Sequence, residues 1–158
     1  MGTRSRIGVM HGDNVKSVYC HWDGYLEHNG AILQEHYDSV KANQLVALGD
    51  LSSLGTQIGE KHPFSPHFDE GSKEAYEAAK EAGYCTFYGR DRGETGAEWK
   101  THTNFVDFFA EVEGSWCEWY YIMRDGVWYV GNRYEKDEQF YKKLVPLTEA
   151  LATVKEEA

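Results

Sequence analysis

The segment Arg124-Asp125-Gly126 narrows the folds open to this chain more than any other. It separates Trp116 to Met123 from Val127 to Val130, two runs rich in aromatic and β-branched residues. An Asp-Gly pair accepts the positive φ of a two-residue turn whose twist matches the flanking strands, so this stretch predicts a β-hairpin. Arg4 to Met10 and Val15 to Trp22 read as a second strand pair around His11-Gly12-Asp13-Asn14. In its second strand Val18, Cys20 and Trp22 fall on one face and Tyr19 and His21 on the other, and Asp23-Gly24 breaks the run. Tyr84 to Tyr88 and Ala97 to His102 are further strand candidates.

Helical spacing appears elsewhere. Gly30 to Tyr37 carries Ile32, Leu33, His36 and Tyr37 at three- to four-residue intervals. Asp38 or Ser39 can cap a helix running to Leu48, which Gly49-Asp50 ends. Ser72 to Ala82 is built of strong helix formers. Asn104 is placed to cap Phe105 to Val112, whose Phe105, Phe108 and Phe109 form an apolar stripe. Leu147 to Glu156 follows Pro146 as a terminal helix. The pattern predicts one α+β domain over residues 1–158, an antiparallel sheet built from hairpins with helices packed on one face. Residues 55–82 read as a loop-rich peripheral insertion with a short helix.

At 158 residues, 41% hydrophobic and 27% charged, the chain is long and apolar enough to bury a core. Its formal charge of −10 argues against general nucleic-acid binding, which needs a basic face. That charge still allows a small anionic ligand held by local arginines, or an acidic surface that occupies another protein's nucleic-acid site. Cys20, Cys85 and Cys117 form no CxxC pair and lie in apolar or aromatic runs. They predict buried free thiols and a reducing cytoplasm rather than a disulfide or zinc framework. No signal-peptide core or spanning segment is visible, so no membrane partner is expected. Arg6 stands where a myristoylation signal beginning Met1-Gly2 would want Ser or Thr.

Gly89-Arg90-Asp91-Arg92-Gly93-Glu94 follows the Tyr84 to Tyr88 strand and nominates a site. Glycines allow close backbone approach, and Arg90 and Arg92 offer donor forks suited to phosphate or carboxylate. The alternative is a solvated turn whose charges pair with one another. His21, Asp23 and Tyr25 cluster where the second strand ends, where an acid-base pair or ligand contacts can sit. Asp50 precedes Leu51-Ser52-Ser53, whose hydroxyls can bind an oxyanion or make local turns. His36, Asp50, His62 and His67 are the further metal-ligand candidates beside His21 and Asp23. Their spacing matches no zinc or iron pattern, so no metal or other cofactor is implied. The chain contains no Gly-x-Ser-x-Gly elbow, Walker loop or dinucleotide fingerprint.

Tyr19-Cys20-His21-Trp22-Asp23-Gly24-Tyr25, Gly49-Asp50-Leu51-Ser52-Ser53-Leu54 and Gly89-Arg90-Asp91-Arg92-Gly93-Glu94, with Thr3-Arg4-Ser5, together resemble a family of small proteins carried by tailed bacteriophages and prophages. The resemblance runs from the N-terminus to the late hairpin. It implies a virus-encoded, non-structural protein acting in the host bacterial cytoplasm. The family has no assigned activity, so it lends no functional residue to this chain. Two function classes follow. One is a binding protein that sequesters a small anionic, nucleotide-like ligand or inhibits a host protein in takeover or counter-defence. The other is a small hydrolase or transferase acting on a phosphorylated substrate. The first needs only aromatic and arginine contacts, whereas the second needs a nucleophile-base pair or metal that no motif supplies. The acidic nucleic-acid mimic is a third reading. The expected ligand set is Arg90, Arg92, His21, Asp23, Tyr25 and Asp50, and the sequence leaves oligomeric state open.

Overall fold

A computed structural model describes residues 3–66, 72–133 and 144–157; Met1-Gly2 and His67 lie outside the described residues. Strands β1 (Ser5–His11) and β2 (Asn14–Cys20) form an antiparallel hairpin in which His11 faces Asn14 across Gly12-Asp13. β6 (Trp119–Arg124) and β7 (Val127–Asn132) form the second, closed by Asp125 and Gly126 at φ 51° and 80°. Both central residues are left-handed, as the Asp-Gly turn requires. The remaining strands are short: β3 (Leu51–Ser53), β4 (Thr86–Phe87), β5 (Lys100–His102) and β8 (Val145–Pro146).

All eight belong to one sheet of order β4-β3-β2-β1-β6-β7-β8, with β5 paired to β2 off that path. The two hairpins therefore share a sheet, as the sequence predicts. Their junction is parallel, β1 with β6, and β2 also runs parallel to β3. The outer edge of β2 is divided between two partners. β5 takes Val15 to Ser17 and β3 takes Cys20.

A π-helical turn, Leu26–Gly30, runs directly into α1 (Ala31–His36), and α2 (Ser39–Ala47) follows. Asp38 caps α2 by accepting the Lys41 N–H at 2.8 Å. α3 (Ser72–Glu81), α4 (Tyr88–Arg92), α5 (Phe105–Gly114) and α6 (Leu147–Glu157) are the further helices among the described residues. The Asn104 side chain caps α5 on the Asp107 N–H at 2.8 Å.

Strand alternation splits the buried side chains into two cores. Ile7, Val9, Val18, Cys20, Tyr121 and Met123 point to one face and meet Leu33, Leu45 and Leu147 of α1, α2 and α6. Val15, Tyr120 and Ile122 point to the other and meet Phe108, Phe109 and Val112 of α5. At roughly 1.5–3 kcal/mol per fully buried large apolar side chain, each cluster contributes substantially. Helices thus cover both faces. The expected single helical layer is α1, α2 and α6, and the phenylalanine stripe of α5 forms a second layer opposite it.

Two local expectations change. Trp22 does not continue the inward face of β2 but is 43% exposed. The strand ends at Cys20, the Trp22 N–H turns to the Ser52 carbonyl at 3.0 Å, and Asp23 adopts φ 56°. The Gly89 to Arg92 segment is no loop but a helical turn, ended by Gly93 at φ 73°. Among the described residues no helix is long and apolar enough to cross a membrane.

Candidate functional site

The turn of α4 has an inner and an outer side. Asp91, with its side chain fully buried, is the inner hub. Its Oδ1 accepts the His62 N–H at 3.1 Å and Arg90 Nε at 2.9 Å. Its Oδ2 accepts the Phe87 N–H at 2.7 Å and Arg90 Nη2 at 3.2 Å. Arg90 Nη1 donates to the carbonyls of Ile58 and Gly59 at 2.9 and 3.1 Å, and Nη2 to that of Cys85 at 3.0 Å. The guanidinium lies 4.7 Å over the Phe87 ring. Every nitrogen of Arg90 already has a protein acceptor. This residue, expected in a ligand set, instead clamps residues 58–62 onto β4.

Arg92 points the other way. Its side chain is 48% exposed and pairs with Glu94 at 3.1 Å. Its guanidinium lies 5.0 Å from the Phe64 ring and 5.5 Å from that of Tyr88. Cys85 and Phe87 are buried in the core, Thr86 turns to the opposite face but is also covered, and Tyr84 and Tyr88 on either side are half-buried. The Ser52 hydroxyl meets the Tyr88 phenol. Lys80 reaches across from α3, donating to Ser53 Oγ at 2.8 Å and Thr86 Oγ1 at 3.0 Å. Burial of its ammonium among these groups lowers the Lys80 pKa, partly offset by the fields of Cys85 and Asp91. Burial likewise raises the Tyr88 phenol.

β2 extends this ledge. The His21 N–H donates to the Leu51 carbonyl at 3.1 Å, which fixes the chain beside β3. A hydrogen bond of 2.7 Å joins Tyr19 Oη and His21 Nδ1, and Trp22 packs edge-on to the imidazole at 4.7 Å. Burial pushes Tyr19 up to about 12 and, with the Arg4 charge, lowers His21. Asp23 and Tyr25 are exposed just beyond; the Asp23 carbonyl accepts the Asn29 N–H at 3.3 Å and Tyr25 tilts onto His28.

Asp50 is structural. Its Oδ1 accepts the Tyr19 N–H at 2.9 Å, at the gap on the β2 edge between the β5 and β3 pairings. Burial raises its pKa against the opposing pull of that N–H and of Arg6. Among the metal-ligand candidates, His62 is enclosed, with Nε2 2.9 Å from the Cys85 carbonyl oxygen, while His36 stands at the far end of α1. No three His, Cys, Asp or Glu side chains among the described residues converge on a common point for a metal. Burial raises the thiols of Cys20 and Cys117 to about 12 and that of Cys85 as well, which makes all three poor nucleophiles.

A second polar network lies under α5. Buried Arg6 donates through Nε to Ser17 Oγ at 2.8 Å and through Nη1 to Ser115 Oγ at 3.2 Å, with Glu111 3.6 Å away. His102 Nε2 is 3.1 Å from Ser17 Oγ, and Lys100 pairs with Glu111. Ser17 is fully buried and His102 nearly so, so no substrate reaches this serine-histidine contact.

The ledge members that sequence reading did not choose are Lys80, Tyr88, Phe64 and Tyr19. The alternation of Tyr84, Thr86 and Tyr88 against Cys85 and Phe87 carried the signal for Tyr88. Nothing local to α3 marks Lys80, whose partners lie 27 and 6 residues away. The chain matches no known protein-family model, no curated protein and no solved structure.

Proposed function

We propose that the protein is a binding protein whose outer ledge receives a phosphate- or carboxylate-bearing group, from a small nucleotide-like ligand or from an acidic side of a host protein. The observation that carries this reading is the display of Arg92. Its guanidinium is half exposed, braced against Phe64 and Tyr88, and among the described residues its ion pair is with the exposed Glu94. A braced guanidinium loses little side-chain freedom on meeting a planar oxyanion. Lys80, anchored on Ser53 and buried Thr86, adds a cation, and Ser52 of β3 with Tyr88 of α4 adds hydroxyl donors. The resemblance to phage and prophage proteins supports a role of this kind in host takeover or counter-defence, within the bacterial cytoplasm. Arg90 drops out of the ligand set because its nitrogens already serve the fold, and Asp50 because its Oδ1 holds the Tyr19 N–H at the β2 edge.

Calorimetry with inorganic phosphate, AMP and ADP tests the reading. A charge-assisted hydrogen bond contributes about 1.5–3 kcal/mol, so Arg92→Ala should weaken binding roughly tenfold or more. Lys80→Ala should weaken it less, and Lys73→Ala, on the exposed start of α3, should not. Equal binding by wild type and Arg92→Ala, or none by the wild type, overturns the anion ledge. Conversion of the nucleotide during titration would instead establish a hydrolase or transferase.

A further inference from the structure

A second concavity lies away from the ledge, between the α1–α2 corner and the tip of the β6–β7 hairpin. It has a volume of about 600 Å³, within the range of small-molecule sites. Its base is Tyr37, Met123 and Trp128, each 3% exposed. Its rim carries Glu35 and Asp38, and no lysine or arginine is among its described lining residues. Lys41 of α2 and Arg124 beside Met123 are committed elsewhere, the Arg124 guanidinium 4.6 Å over the Tyr129 ring. The Lys41 Nζ donates to the carbonyls of His36 and Thr56 at 3.1 and 2.6 Å, and it sits 4.3 Å over the Tyr37 ring. The Trp128 indole N–H donates to the Tyr37 carbonyl at 2.8 Å, which fixes the ring in the floor and leaves it no free donor.

We propose that this cavity binds a small organic cation, an alkylammonium or guanidinium. Three features select that chemistry. The floor is aromatic and thioether, with each side chain only 3% exposed, and Trp128 offers no unfilled hydrogen-bond donor. The rim supplies two carboxylates: Glu35 is 76% exposed, and Asp38 spends only Oδ1 on its cap. An anion would meet both carboxylates with no lysine or arginine among the described lining residues to offset them. His36 is the one basic side chain among the described lining residues, and its Nε2 is 3.9 Å from Glu35.

The test uses choline and agmatine as probes, with 3,3-dimethylbutanol as the uncharged isostere of choline. NMR of the intact chain follows the Met123 methyl and the Trp128 indole N–H. The expected result is a saturable shift of both signals by at least one cation, with the isostere roughly tenfold weaker or worse. Glu35→Gln and Asp38→Asn should each weaken the cation roughly three- to tenfold. Asparagine caps a helix as well as aspartate does, so Asp38→Asn keeps α2 intact. Asp13→Asn, in the β1–β2 turn, should leave binding unchanged. The proposal is overturned if neither cation shifts these signals at millimolar concentration, if the isostere binds equally well, or if Asp13→Asn weakens binding as much as the rim variants do. Arg92→Ala should leave this site untouched, so its result and that of the ledge are read separately.

Discussion

The inner and outer sides of α4 carry the same residue type to opposite ends. Arg90 and Arg92 stand two positions apart in one helical turn. Arg90 meets three backbone carbonyls and both oxygens of a buried carboxylate, and it is 13% exposed. Arg92 meets two aromatic rings and one exposed carboxylate. The difference lies in the supply of acceptors. A guanidinium surrounded by unpaired backbone oxygens is consumed by the fold, because leaving those oxygens buried and bare would cost more than the contact gains. A guanidinium resting on rings keeps its donor edge for something else.

The comparison breaks most visibly at its inner side. Asp91→Ala removes the acceptor for two backbone N–H groups and two guanidinium nitrogens at once. Removing one partner of a buried ion pair costs about 3–5 kcal/mol, so the urea midpoint should fall steeply. If the loss is under about 1 kcal/mol, comparable to a surface pair, Asp91 is not a hub and the contrast with Arg92 collapses.

The sequence shows the hairpins, the caps and most of the helices because their signals are local. Asp125-Gly126, Asp38 and Asn104 each act within a few residues of themselves. It does not show the fate of Arg90, because its acceptors at Ile58 and Gly59 arrive from 32 and 31 residues away. It misplaces Trp22 for the same reason. Period-two spacing continues through that residue, but β3 captures its backbone and Asp23 turns the chain. It also misses the second helical layer, since an apolar stripe on α5 shows that the helix packs but not on which face of the sheet. The ledge was half visible. His21, Arg92 and the Ser52-Ser53 pair stood out by residue type, whereas Lys80 needed the tertiary fold.

The network under α5 extends the comparison to pH. His102 is held below its ordinary pKa by burial first and by the Arg6 charge second. In the unfolded chain a histidine takes up its proton near pH 6.5. Below that pH the unfolded state therefore binds more protons than the folded one, and stability must fall as pH falls. The slope from this one group cannot exceed one proton, about 1.4 kcal/mol per pH unit. His21 is also lowered and adds with the same sign, but it is less deeply enclosed. Denaturant melts of wild type and His102→Gln from pH 7.5 to 5 measure the effect. The wild type should lose stability across this range and His102→Gln should lose less. Parallel curves would show that the network tolerates the charged imidazole.

The outer side should respond weakly in stability and clearly in binding. The Arg92–Glu94 pair is exposed on both members, 48% and 41%. Exposed pairs contribute about 0–1 kcal/mol, so Arg92→Ala and Glu94→Gln should each leave the melting curve nearly unchanged. Their effects on anion binding should have opposite signs. Arg92→Ala removes the donor fork. Glu94→Gln frees that fork from its resident carboxylate and lifts a repulsion against the incoming anion. The gain is bounded by the strength of the pair released, so phosphate affinity should rise by no more than roughly fivefold. Opposite signs at unchanged stability would separate a displayed guanidinium from a clamped one, since a structural arginine cannot improve when its partner is neutralised. If Glu94→Gln instead weakens phosphate binding, Glu94 is positioning Arg92 rather than competing for it, and the ledge is a preset pair. If Glu94→Gln melts far below wild type, the outer side belongs with the inner one.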